Sequence, residues 1–347
     1  MFDQAFKFYK ARNPPPSFEN VIDLCKHDGN GLDSRLKDIS SSIAQNVSFP
    51  GIINSSSWRV FELVGRPGLL FISNPFTKRA QRYWIRRSLC DYPQTPNRTN
   101  IPNSVFEKYS DGHETQFDWW NVAQSIEEPT ERNKFLKSLR WTTLGYHYDW
   151  TNKVYDDAAR AEFPADLASM CHHFAAVLGF QQFHPQAAIV NYYPVGSTLA
   201  GHTDHSERNL EAPLFSFSFG QPAVFLIGGP SKDERPDALL LRSGDVIVMT
   251  RASRLCYHAV PRVFPDSAEL VQQLWAEEQE QQEGQSSLGG PEVQTIVCSS
   301  SPISTTAVWN DCRSTGSSQR HHFVDYISNS RININIRQVL NEGENHL

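Results

Sequence analysis

His202 and Asp204, one residue apart, and His258, 54 residues beyond Asp204, are the side chains with which a protein can hold Fe(II) by one face. Two imidazoles and one carboxylate leave the remaining coordination positions open for a co-substrate and for oxygen. Further along comes Arg331-Ile-Asn-Ile-Asn-Ile-Arg337. A guanidinium grips a carboxylate through two parallel hydrogen bonds, so Arg331 and Arg337 fit an anionic co-substrate with two carboxylates, such as 2-oxoglutarate. The chemistry in view is oxygen activation at a non-haem iron. His-x-Asp alone is a weak signal in a chain with 12 histidines, any one of which is more commonly a hydrogen-bonded structural group.

The elements around these residues raise the odds. An apolar, strand-like run, Ala187 to Tyr193, precedes His202, and another, Val246 to Thr250, precedes His258. Residues two apart on an extended segment point to the same side, so His202 and Asp204 can face one metal while a neighbouring strand supplies the third ligand. His205 has the opposite parity and reads as a bystander. Arg331, Asn333, Asn335 and Arg337 likewise share one strand face, with Ile332, Ile334 and Ile336 on the other. Burying four polar side chains with nothing to bind is costly. A ligand-lined interior is therefore preferred over an exposed polar face.

The rest of the chain supplies a scaffold. Leu214-Phe-Ser-Phe-Ser-Phe219 alternates with period two, as does a sheet with one face buried. Leu239 to Leu241 and Val246 to Val248 flank Arg242-Ser-Gly-Asp245, which predicts a hairpin. Pro67 to Pro75 reads as a strand followed by an amphipathic helix over Thr77 to Leu89, in which Tyr83 and Trp84 pack and Lys78, Arg79, Arg82, Arg86 and Arg87 form a basic surface. That surface is ordinarily a solvated face and otherwise a phosphate contact. Phe163 to Leu178 is a second helix, with Leu167, Met170, Cys171, Phe174 and Val177 at helical spacing and Gly179 as the stop. Helices in front of many short strands predict an α+β fold, an antiparallel jelly roll buttressed on one side by helices. Residues 1–66 read as an irregular N-terminal arm packed on a domain over 67–347, with 263–328 an acidic and polar insertion.

Composition bounds the setting. The 347 residues, 39% of them hydrophobic, suffice for one large packed domain, and no run of about eighteen apolar residues predicts a membrane span. The six cysteines show no CxxC pairing, which suits a reducing compartment and gives no cysteine zinc site. The net charge of −6 argues against a polyanionic partner until its distribution is considered: residues 263–312 hold eight acids and no Lys or Arg, and without them 30 acids face 32 bases. The negative charge belongs to one Gln/Ser/Gly-rich segment, in which Trp275 and Trp309 hint at partial order.

Several segments together resemble the AlkB family of Fe(II)/2-oxoglutarate dioxygenases, in particular the homologue-one branch of animals. They are Trp141-Thr-Thr143, Gly145-Tyr-His-Tyr148, Asn191-Tyr-Tyr193, Leu199 to Glu207, Ser216 to Gly220, Phe225 to Gly229, Ser243-Gly-Asp245, Ser253-Arg-Leu255 with His258, and Arg331 to Arg337. The resemblance covers roughly 67–340 apart from the insertion, and the N-terminal arm is also similar. It implies a double-stranded β-helix in which His202, Asp204 and His258 hold Fe(II), and Asn191, Tyr193, Leu199, Arg331, Asn333 and Arg337 bind 2-oxoglutarate, with O2 as oxidant. Trp141, Tyr146 and Tyr148 occupy positions similar to the family's base-binding lid. Trp150 is assigned to the core. The family's bacterial members carry a carboxylate two residues after the iron aspartate, where this chain has Ser206 and then Glu207, here taken as a substrate-facing group. That pairing fits structured tRNA better than a lesion in duplex DNA.

The implied activity is oxidation of methyl groups on nucleic acid bases: N1-methyladenine demethylation, in which an N-hydroxymethyl group collapses to formaldehyde, or conversion of 5-methylcytosine to hydroxymethyl and formyl products. DNA N-methyladenine and a protein or histone methyl group are the alternatives, and a metal-bearing module without oxygen chemistry is a weaker one. A monomer, with tRNA or another methylated nucleic acid as partner and no membrane, is expected. Lys7, Lys10 and Arg12 beside phenylalanines weakly resemble a presequence. The resemblance implies mitochondrion and nucleus.

Overall fold

A computed structural model of the chain describes residues 1–24, 32–102, 104, 105, 108, 118–266, 271, 274, 275 and 317–347. Two antiparallel sheets dominate it. The larger runs, from edge to edge, through β1 (Leu36–Asp38), β2 (Arg59–Leu63), β3 (Leu69–Ser73), β12 (Val246–Met249), β9 (Leu214–Gly220), β14 (Ser330–Arg337), β7 (Ala187–Pro194), β5 (Trp141–Asp149) and β4 (Arg98–Thr99), with β6 (Val154–Arg160) added to β5. The smaller runs through β11 (Asp237–Leu241), β10 (Ala223–Ile227), β13 (His258–Val263) and β8 (Leu199–His202).

Period-two patterning divides the large sheet into two faces. Val190, Tyr192, Phe215, Phe217, Phe219, Ile332, Ile334 and Ile336 point outward into a core shared with helix α2 (Lys78–Arg86) and helix α5 (Ala165–Val177). On the other face Tyr193, Leu214, Ile247 and Met249 meet Phe225, Ile227, Leu239 and Leu241 of the small sheet. The alternation leaves Ser216 and Ser218 on the inner face, opposite Asn335 and Asn333 of β14. Polar groups are thus gathered on the inner face between the sheets, as the Arg331 to Arg337 parity requires. The helices form where their patterns predict: Thr77 caps α2 by accepting from the Ala80 amide at 3.2 Å. In α5, Leu167, Met170, Cys171, Phe174 and Val177 are buried.

The basic surface of α2 is largely engaged inside the fold. Arg87 pairs with Asp166 at 2.8 Å and Asp91 at 3.0 Å, and Arg82 donates to the Leu274 carbonyl at 2.7 Å. The hairpin expected over residues 239–248 does not form. β11 pairs with β10 in the small sheet, whereas β12 pairs with β3 and β9 in the large one. The turn over Arg242 to Asp245 is instead a crossover, held by Asp245, whose carboxylate accepts the backbone amides of Arg242 at 2.7 Å and Asn74 at 3.1 Å. Local turn chemistry was satisfied, yet burial decided which sheet each flanking strand joined.

The N-terminal stretch carries more regular structure than its composition predicts. Helix α1 (Phe2–Lys10) lies on the outer face of the small sheet, where Phe2 and Tyr9 share a core with Val224, Leu226 and Ala259, and β1 and β2 extend the large sheet. Of the acidic segment, Trp275 stacks on Phe323 of helix α6 (Ser317–Ser328) with planes 2° apart. Trp309 and most of residues 267–316 lie outside the described residues. Two short helices, α3 (Trp119–Ser125) and α4 (Pro129–Leu136), complete the helical layer, and no helix among the described residues is long and apolar enough to cross a membrane.

Gly145 determines how β5 serves the inner face. Its φ of +69° and a backbone so close that a Cβ would meet the Gln186 carbonyl at 2.1 Å admit no side chain there. Before it, Trp141 pairs with Asn191 on the inner face while Leu144 faces the outer core. After it the parity flips, so Tyr146 joins Tyr155, Ala187 and Val339 on the inner side. Trp141, Tyr146 and Tyr148 have mixed sequence parity, and the glycine kink is what brings them to one side.

Candidate active site

His202 ends β8, His258 begins β13, and the two pair across the ladder with ring centroids 4.3 Å apart. Asp204 sits just past the strand end, its Oδ2 3.7 Å from His258 Nε2. Ligand atoms of all three lie within 4.8 Å of one another, the one such cluster among the described residues. The spacing and donor chemistry fit a divalent metal. Each imidazole also has its other nitrogen engaged: His202 Nδ1 lies 2.9 Å from the Ala200 carbonyl, and His258 Nδ1 lies 3.1 Å from that of Cys256. Donation from Nδ1–H leaves the Nε2 lone pair free as a ligand. Burial, reinforced by His202, pushes the His258 pKa down to about 4, which favours the neutral form that metals bind. Burial works against ionisation of Asp204, but the Arg337 guanidinium, by its charge and its hydrogen bond, leads the opposing effects and holds the carboxyl below its usual range.

A closed set of charges secures Asp204. Arg337 Nη2 donates to Asp204 Oδ2 at 2.9 Å, and its Nε lies 3.2 Å from Glu207 Oε1. Arg254 donates to the Asp204 backbone carbonyl at 2.7 Å, to Glu207 Oε2 at 3.0 Å and to the Ala212 carbonyl at 3.1 Å. Tyr155 OH donates to Glu207 Oε1 at 2.9 Å. Glu207 is therefore not turned toward a substrate as expected. It is buried between two arginines because two buried cations without a carboxylate between them would be strongly destabilising. Arg254 is the contributor that sequence reasoning missed. The signal was an arginine between an apolar strand and a ligand, in Ser253-Arg-Leu255, with no role attached.

The inner face of β14 presents a second cationic centre. Arg331 is 1% exposed, and no carboxylate lies within ion-pair distance of it among the described residues. Its Nη2 donates to Ser218 Oγ at 2.6 Å, while Nε is buried without a partner, as is Nη1 of Arg337. Burial lowers the Arg331 pKa to about 10, so the group stays charged at neutral pH. An isolated buried cation costs several kcal/mol unless an anion joins it. Tyr193 and Asn191 stand directly across the ladder from Arg331 and Asn333, and Asn333 donates to Ser216 Oγ at 2.9 Å. Leu199, on β8, packs against the inter-sheet core. Two buried guanidinium groups, Arg331 and Arg337, each with a nitrogen that has no partner among the described residues, thus stand on the inner face of β14, a donor set suited to carboxylates.

The aromatic residues divide differently from expectation. Tyr146 is buried, its hydroxyl donating to Asp157 at 2.9 Å and accepting from Arg160 at 3.0 Å, so it is part of the β5–β6 packing rather than a free stacking face. Trp150, assigned to the core, is instead 47% exposed at the tip of that hairpin. It lies edge-on to Tyr148 at 4.8 Å and tilted against Trp141 at 5.6 Å. Tyr148 OH in turn bonds Ser206 Oγ at 3.0 Å, two residues from Asp204. Trp141, Tyr148 and Trp150 thus form an aromatic rim beside the metal cluster. His205 is exposed, hydrogen-bonded to Thr203 and outside the cluster.

Comparison with known proteins agrees with this geometry. The family model of the 2OG-Fe(II) oxygenase superfamily matches residues 68–337. Human nucleic acid dioxygenase ALKBH1 is 39% identical over 279 residues, covering 76% of this chain and 70% of that protein. The DNA N(6)-methyladenine demethylase ALKBH1A of Arabidopsis thaliana is 32% identical, with 97% of this chain and 92% of that protein aligned. The tRNA demethylase abh1 of Schizosaccharomyces pombe is 36% identical over 60% of this chain and 72% of its own. The chain therefore belongs to the 2OG-Fe(II) oxygenase superfamily and, within it, to the AlkB group that includes the ALKBH1 proteins, enzymes that work with Fe(II), 2-oxoglutarate and O2.

Proposed function

We propose that this enzyme oxidises methyl groups on nucleic acid bases, with tRNA as the main substrate: N1-methyladenine, which is demethylated, or 5-methylcytosine, which is oxidised to hydroxymethyl and formyl products. The observation that carries the reading is the aromatic rim of Trp141, Tyr148 and Trp150 set beside the His202, Asp204 and His258 cluster. An unstacked base needs a π-face to stand on when it is presented to a reactive centre. The human and fission yeast relatives carry names for nucleic acid and tRNA chemistry. We read the two facing sheets as the double-stranded β-helix of the superfamily.

In this scheme His202, Asp204 and His258 would hold Fe(II). Bound there with 2-oxoglutarate and O2, the metal supplies the oxidising power that inserts oxygen into a C–H bond while the keto acid leaves as succinate and CO2. The chain's own groups bind and orient. Arg331, with Ser218 and Tyr193 beside it, would take a carboxylate of 2-oxoglutarate, and Arg337, Asn191, Asn333 and Leu199 would complete its binding site. Arg337 and Arg254 hold Asp204 in place. The buried phenylalanines of β9 exclude water from behind the inner face.

A second reading, DNA N-methyladenine demethylation, draws on the Arabidopsis relative, whose alignment spans nearly all of both chains. Mass spectrometry of nucleosides after incubation of total tRNA, or of N6-methyladenine DNA, with Fe(II), ascorbate and 2-oxoglutarate distinguishes the two. Asp204→Ala should abolish succinate formation and base oxidation while tRNA binding stays within about twofold. Unchanged turnover in that variant would remove the metal assignment. Succinate without any change in tRNA would move the search to DNA and then to protein methyl groups. A monomer is proposed, and mitochondrion and nucleus are the proposed compartments, to be checked by imaging the tagged full chain.

A further inference from the structure

Phe2 is fully buried although it opens a helix on the protein surface. Its ring rests on backbone. A Cβ on Gly201 would come within 2.7 Å of one ring carbon, and a Cβ on Gly228 within 2.8 Å of another. Neither glycine has left-handed backbone, so their lack of a side chain is explained by the approach of the ring and not by a turn. Tyr257 forms the third wall, its ring centroid 6.2 Å away. Each wall leads to the metal cluster. Gly201 precedes His202, Tyr257 precedes His258, and Gly228 follows Ile227, the ladder partner of His258, while donating its amide to the Tyr257 carbonyl at 2.8 Å. The helix itself is tied down at both ends, by the Phe2 amide to the Lys232 carbonyl at 2.9 Å and by Arg262 to the Ala11 carbonyl at 3.0 Å.

We propose that Phe2 is a positioning residue for the metal centre, a wedge from the N-terminal helix that fixes the spacing of His202 and His258 by pressing on the residues before them. The inference rests on the reading of His202, Asp204 and His258 as metal ligands. Residues that orient metal ligands without touching the metal typically contribute 10–100-fold to affinity. The ring fills the angle between β8 and β13, so its loss frees both histidine-bearing strand ends at once.

The test uses Co(II) as the probe, titrated into the metal-free full chain and followed by ligand-field absorption, with thermal midpoints recorded alongside. Phe2→Ala should bind Co(II) roughly tenfold more weakly and show altered bands, and Phe2→Leu should recover most of the affinity. Tyr9→Ala, which loosens the far end of the same helix, should keep the parent affinity. Gly201→Ala should weaken binding by driving the ring away, and adding Phe2→Ala to that variant should weaken it little further, because the wedge is already lost. Parent-like Co(II) binding in Phe2→Ala, or an equal loss in Tyr9→Ala at an equal thermal midpoint, overturns the wedge. If Phe2→Ala does not fold, Gly201→Ala carries the test, and parent-like binding there overturns it equally. His258→Ala is the separate control: Co(II) bound there as in the parent would defeat the ligand assignment itself.

Discussion

Arg254 and Glu207 show how much of a metal site is made by residues that need not touch the metal. Their side chains are each 2% exposed and meet at 3.0 Å, so removing Glu207 leaves Arg254 buried with no carboxylate beside it, and removing Arg254 leaves Glu207 with Arg337 alone. Arg254→Ala or Glu207→Ala should lower stability by about 3–5 kcal/mol, measured by urea unfolding of the metal-free protein. If either variant lost less than about 1 kcal/mol, the pair would be no better than a surface bridge. A second residue-scale prediction concerns His173, which packs against Phe49 and Trp58 and whose Nε2 is buried without a partner. Burial pushes its pKa from 6.5 down to about 4. The folded protein thus keeps the ring neutral while the unfolded chain takes a proton below about 6.5. Stability is therefore full above that pH and declines as the pH falls toward 4. His173→Phe should flatten the thermal midpoint across that interval, and an unchanged slope would assign it to other groups.

Among the elements, the β5–β6 hairpin carries the most direct consequence for substrate. Trp150 at its tip is the exposed member of the rim, and a base stacked on an aromatic ring contributes about 1–3 kcal/mol. Trp150→Ala should weaken tRNA binding by about fivefold or more in fluorescence anisotropy while leaving uncoupled succinate formation intact. Equal affinity would place the nucleic acid elsewhere. Elements with strong periodicity were legible in the sequence: α5 from its apolar spacing, β9 from its Phe/Ser alternation, and β14 from its Arg/Asn/Ile parity. The 239–248 hairpin was misread because turn residues specify a change of direction and say nothing about which sheet receives the next strand. Trp150 and Tyr146 exchanged roles for a related reason. Their exposure depends on the kink at Gly145 and on Asp157 and Arg160 of β6, neither of which local pattern encodes.

On the scale of the whole molecule, charge is distributed in blocks. Neutralising the eight acids of residues 263–312 to their amides would move the formal charge from −6 to +2. tRNA affinity measured at low salt should then rise, and the gain should fade as salt screens it. An affinity that does not change would mean that those charges stay away from bound nucleic acid. The metal cluster and the β14 arginines were readable because their chemistry demands particular residue types at particular parities. The support behind them was not, since Phe2 and Tyr155 reach the site from distant parts of the chain and the hydrogen-bond partners of Arg254 are brought to it only by the fold. The kink at Gly145 has a larger implication. It gives one strand two parities, so Trp141 and Tyr148, an odd and an even position, come to the same side while Leu144 stays in the outer core. The rim therefore hangs from a single backbone position, and a side chain at that glycine, forced against the Gln186 carbonyl, would displace Tyr148 and Trp150 together.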